Sequence, residues 1–101
     1  MYSDVMIQGN LATRTVTIDG RPLSPKESLK IVNHSPDGFA WGYGGSGPSQ
    51  LALAILLCYT GKDTAQRLYQ SFKWDVVANL EGNFNLSEAE VVKWIQSKSE
   101  S

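Results

Sequence analysis

From Leu51 to Cys58 the chain carries eight apolar residues in succession. A helix built from them has no polar face, so it has to be buried on every side. It is too short to cross a bilayer, which takes about 20 apolar residues. The rest of the chain must therefore cover it. Pro48 lacks an N–H and holds φ near the helical value, which suits the first helical position. Gly47 or Ser46 would then cap, and Gln50 could reach back to the cap backbone. Gly61, after Tyr59 and Thr60, is placed to close the helix in the left-handed conformation. The pattern predicts a helix over residues 48–60 through the middle of the protein.

The loop before it holds four glycines, Gly42, Gly44, Gly45 and Gly47, behind Phe39, Trp41 and Tyr43. Its spacing matches the dinucleotide-binding glycine pattern, but Lys62 to Gln70 reads as helix, so no βαβ unit follows. It matches the P-loop spacing too, with Pro48 where the lysine should stand. The nucleophile-elbow pattern fails because Pro48 occupies its last glycine. What remains is general: orphan N–H groups at a helix N-terminus attract anions. The competing reading is a tight turn that packs on its neighbours.

The length of 101 residues suits one domain, with a tail expected to fray from about residue 97. Nine basic and ten acidic residues leave a formal charge of −1, without the basic excess of a nucleic-acid binder. The start shows no secretion signal. Cys58 is the only cysteine, so no disulfide can form within one chain, and a reducing, cytoplasmic setting fits. Lying in the apolar run, it reads as a core residue.

Val5 to Gln8 and Thr13 to Ile18 read as strands, with Gly9-Asn10 as the turn of an antiparallel hairpin. Asp19-Gly20 marks a second reversal, leading into an edge piece at Arg21 to Leu23. Ser24 and Pro25 read as the start of a helix of a turn or two, with Lys30 to Val32 open to an extended conformation instead, so this segment stays ambiguous. Ser35 to Gly38 reads as a β-turn. Phe39 and Trp41, alternating with Ala40 and Gly42, suggest a short strand with both rings on one face. Asp63, as cap, opens a second long helix to Leu80 with an apolar stripe through Ala65, Leu68, Tyr69 and Phe72. Ser87 and Glu90 form a capping box, stapled by Leu86 and Val91, for a last helix. The expected fold is α+β: a small N-terminal antiparallel sheet packed on about three helices, one of them central and all apolar.

After Gly38, the run from Phe39 to Ala54 has the form F-x-W-G-Y-G-G-S-G-P-x-Q-L-A-L-A. With Asn33 to Pro36, Tyr69 to Lys73, Val76 to Ala78, Leu86, Ser87, Glu90 and Trp94, it resembles a family of small uncharacterised prokaryotic proteins, some borne by phage or other mobile elements. The likeness covers nearly the whole chain. The family has no assigned activity, so the resemblance implies kinship and transfers no catalytic residue.

His34, Ser35 and Asp37 supply the residue types of a hydrolase triad, but neighbours on one turn rarely converge on one substrate atom. One histidine and one cysteine give no metal site of the usual spacing, and no cofactor is implied. The expectation is a binding or accessory protein rather than an enzyme, contacting an unidentified protein or small anionic ligand. The contact residues would be His34, Trp41, Tyr43, Gly44, Gly45, Ser46 and Gly47. The alternatives are a small enzyme acting on a phosphorylated or nucleotide-like substrate through Ser46 and His34, and a purely structural subunit. No membrane partner is expected. An all-apolar helix in so small a chain, at near-zero net charge, leaves room for a homodimer through Trp74 or Trp94.

Overall fold

A computed structural model describes residues 5–35 and 38–99, the last of these by its backbone alone. Pro36 and Asp37, at the centre of the expected turn, lie outside the described residues; Gly38 N–H donates to Ser35 O across them at 3.3 Å. The fold is α+β. Four antiparallel strands, β1 (Met6–Asn10), β2 (Thr15–Ile18), β3 (Arg21–Pro22) and β4 (Phe84–Ser87), lie in the order β3-β2-β1-β4. The helices are α1 (Lys26–Ile31), α2 (Ser46–Tyr59), α3 (Lys62–Asp75) and α4 (Glu88–Ser99), with a 3-10 turn at Val77–Asn79.

The alternation of the strands puts Ile7, Val16, Phe84 and Leu86 inward, all buried. β4 was not anticipated: the sheet draws its last strand from near the C-terminus, pairing Ile7 with Leu86 and Gly9 with Phe84. The first reversal is also displaced. Gly9 and Asn10 belong to β1, opposite Val16 and Thr15, and the chain turns through residues 11–14 instead. Gly9 is glycine for packing, since a β-carbon there would run into the ring of Phe84. Arg14 takes the left-handed conformation at φ 58° to close that turn. The second reversal is as read: Asp19 and Gly20, at φ 54° and 77°, make the positive-φ pair of a type I′ hairpin.

α2 is the core. Every residue from Gly47 to Leu56 is buried, and Leu51, Leu53, Ile55 and Leu56 are fully so. The helix starts earlier than expected: Gly45 caps, Ser49 N–H makes the first bond to Gly45 O at 3.0 Å, and Pro48 is the third helical residue. Proline is tolerated there because that N–H would be an orphan in any case. Gln50 does not reach back to the cap. Its oxygen accepts from His34 N–H (2.7 Å) and Ser35 N–H (3.0 Å), and its Nε2 donates to Ser28 Oγ (2.8 Å) and Val32 O (3.1 Å). Those bonds fill the capacity of a carboxamide whose residue is fully buried. At the other end Cys58 emerges exposed, correcting its reading as core. Gly61 is extended (φ −71°, ψ 162°) and caps α3, so neither a left-handed closure there nor a cap by Asp63 forms.

α3 ends at Asp75, not Leu80. Asn79 Nδ2 donates to Trp74 O and Asp75 O at 3.2 and 3.1 Å, satisfying carbonyls that a continuing helix would have used. Lys73 is buried, its ammonium 4.4 Å from the centroid of the Trp74 ring. Residues 39–41 form no strand. Phe39, Ala40 and Trp41 are all buried, and Trp41 packs edge-on to Phe84 at 4.9 Å while its Nε1 donates to Gly82 O at 2.8 Å. The capping box stands as expected, with Glu90 N–H on Ser87 Oγ at 3.1 Å and Ser87 N–H on Glu90 Oε1 at 3.4 Å. Among the described residues no helix is long and apolar enough to cross a membrane.

Candidate functional site

The glycine loop ends in a concavity of about 490 Å³ at the N-terminus of α2. Ser46 and Gly47 from the first helical turn line it, with Tyr43 from the loop, Phe39 and Ala40 from the buried segment, and Ser35. Arg14, from the β1–β2 turn, completes the wall. Arg14, Ser35, Gly38, Phe39 and Ala40 were not among the contact residues expected from the sequence; Arg14 is the charged one, and no ion pair holds it among the described residues. Among the described residues none of those lining it is acidic.

No carbonyl among the described residues accepts from the N–H groups of Gly44, Gly45, Ser46 or Gly47. No side chain among the described residues caps the helix either. With Pro48 lacking an N–H, the orphan donors at this terminus are those of Gly45, Ser46 and Gly47. Their partial positive charge and the Arg14 guanidinium act in the same sense. Among the described residues, free amides and one unpaired cation, with no acidic side chain in the lining, can receive a carboxylate or phosphate group.

The glycines themselves have internal reasons. A β-carbon on Gly44 would strike the Trp74 ring, one on Gly45 the Tyr43 ring at 2.5 Å, and one on Gly47 the Ala40 methyl at 2.6 Å. Gly42, at φ 86°, donates to Val77 O at 3.1 Å, and a β-carbon there would stand 2.9 Å from Leu80 O. Gly42 and Gly47 are therefore accounted for by close packing on backbone and core, whereas Gly44 and Gly45 meet exposed rings that can move aside, and the case for a site rests on the amides and Arg14.

The remaining expected contact residues separate. Tyr43 is 54 % exposed at the rim, whereas Trp41 is 4 % exposed and works in the core. Gly44 and Gly45, between the lining residues Tyr43 and Ser46, are not themselves in the lining. His34 is not in the lining; its Nε2 shares a 2.8 Å hydrogen bond with Tyr69 Oη. Ser46 and His34 are thus not gathered into one pocket. Of the tryptophans considered for self-association, Trp94 packs on Phe72 and donates to Asp75 Oδ2 at 2.9 Å, while Trp74 is 58 % exposed over Gly44. No group of His, Cys, Asp and Glu among the described residues could hold a metal ion.

No curated protein and no solved structure matches the chain. Residues 6–97, from β1 into α4, match the family model described as a family of unknown function, DUF6166. The glycine loop, the buried α2 and the wall that Arg14 completes all fall within that span, and the chain belongs to the DUF6166 family.

Proposed function

We propose that the protein is a non-enzymatic binding or accessory protein that receives a carboxylate or phosphate group of its partner at the N-terminus of α2. Ser46 and Gly47 supply backbone donors, Arg14 supplies the counter-charge, and Tyr43 covers the bound group from the rim. The observation that carries this reading is the set of N–H groups from Gly44 to Gly47 that no carbonyl among the described residues accepts. The cytoplasm is the compartment this reading assumes, in keeping with a single unpaired cysteine. The resemblance to phage-borne proteins supports an accessory role on a mobile element.

Calorimetric titration of the protein with inorganic phosphate and with an acidic hexapeptide tests it. Binding of either, weakened about tenfold or more by Arg14→Glu, supports the reading. Equal heats for wild type and Arg14→Glu, or no heat from either ligand at millimolar concentration, contradict it.

A further inference from the structure

The outer face of the sheet carries a second concavity, of about 380 Å³, sharing no lining residue with the first. The strand register explains its make-up. Thr17, Gln8 and Asn85 stand in one row across β2, β1 and β4, and Thr15 stands beside Asn10 in the next. Asn83, from the turn before β4, closes the group. All six side chains are neutral and polar, on a face where a protein surface ordinarily carries about a quarter to a third charged residues. Gly9 and the buried Phe84 complete the lining.

The backbone fixes which end of the asparagines is free. Asn83 Oδ1 accepts from Leu11 N–H at 2.8 Å and Asn10 Oδ1 accepts from Thr13 N–H at 3.3 Å. A main-chain N–H can only donate, so the oxygen of each amide must face it. The NH2 groups of Asn10 and Asn83 are left without a partner among the described residues. Gln8 Nε2 donates to Asn85 Oδ1 at 2.8 Å, which leaves a third NH2 on Asn85 and an acceptor on Gln8.

We propose that this face binds a neutral saccharide through pairs of adjacent hydroxyl groups. A charged ligand would be desolvated here with no opposite charge to meet it, and an apolar one would strip water from the amides without replacing it. The ligand must accept from three amide groups and also offer protons to Gln8 Oε1 and Thr17 Oγ1. A hydroxyl does both, and neighbouring hydroxyls of a pyranose meet the donor and acceptor of one carboxamide together. The amides are already held by the protein, so binding costs them little rotamer freedom. A planar nucleobase would want an aromatic face to stack on, and Phe84, the aromatic of this lining, is 5 % exposed.

The experiment is a titration of the 15N-labelled full chain with maltose, cellobiose, lactose and N,N′-diacetylchitobiose, following side-chain NH2 resonances. The proposal expects saturable shifts at Asn10, Asn83 and Asn85 with at least one disaccharide, at a Kd in the millimolar range. It expects Asn85→Ala and the near-isosteric Thr17→Val each to weaken that binding several-fold. Inorganic phosphate should leave these resonances unmoved. No shift from any of the sugars at about 50 mM, or unchanged affinity in a folded Thr17→Val variant, overturns it.

Discussion

Gln50 Oε1, on the core helix, accepts the backbone N–H of His34 at 2.7 Å. With Ser35 N–H on the same oxygen, and Ser28 Oγ and Val32 O on Nε2, one buried carboxamide ties the chain from α1 to the start of the loop onto α2. Gln50→Leu keeps the volume and removes every partner. It should cost about 2–4 kcal/mol, since buried groups left unmatched each lose about 1–3 kcal/mol. Denaturant unfolding measures it, with a loss below about 0.5 kcal/mol denying Gln50 this role.

The apolar run makes its own prediction. Leu53 and Ile55 have no exposed surface, so Leu53→Ala and Ile55→Ala should each cost about 2–5 kcal/mol. Thermal melts within a degree or two of wild type for both would show that α2 is not the core.

Gly9 and Gly44 offer a contrast. A β-carbon at either position would run into an aromatic ring, that of Phe84 or of Trp74. Phe84 is 5 % exposed and Trp74 is 58 % exposed. Gly9→Ala therefore forces a core rearrangement costing about 1–3 kcal/mol. Gly44→Ala only needs Trp74 to swing into solvent, and should show as a red-shifted tryptophan emission with a smaller loss of stability. Equal losses for the two would mean that the Trp74 ring is held as firmly as the core.

Local signals and tertiary ones were not equally legible. The Asp19-Gly20 hairpin and the Ser87–Glu90 box depend on a few adjacent residues, so the sequence shows them directly. β4 was hidden because its two inward residues, Phe84 and Leu86, are too few to establish alternation. Leu86 and Ser87 also serve the helix cap, whose extended backbone is compatible with a strand. Arg14 reads as an ordinary exposed turn residue, and only the assembled fold brings it to the same concavity as Ser46. Gln50 did carry a signal, since a carboxamide beside an all-apolar run has to find partners when buried. The sequence could not say that they lie in residues 28–35.

Cys58 should alkylate without unfolding, because it is exposed at the end of α2. Burial of the sulfur's surroundings nevertheless pushes its thiol pKa up. The thiolate fraction at neutral pH is then below that of a free cysteine, and the rate-against-pH curve for iodoacetamide should be displaced to higher pH than that of a small thiol. A curve displaced to lower pH would contradict that environment.

The Ser87–Glu90 box should contribute about 1 kcal/mol, lost in Ser87→Ala. Because Ser87 also ends β4, opposite Met6, the same variant should speed amide exchange at the start of α4 before it affects α2.

The most direct test of the account is an amide-shift titration of the labelled protein with inorganic phosphate and an acidic peptide. The account predicts that one of them shifts the N–H resonances of Gly45, Ser46 and Gly47 together, saturably, and that Arg14→Glu abolishes those shifts while the core resonances of α2 stay in place. Shifts spread evenly over surface lysines, or none between Gly44 and Gly47, would show the loop to be a packing turn and not a site.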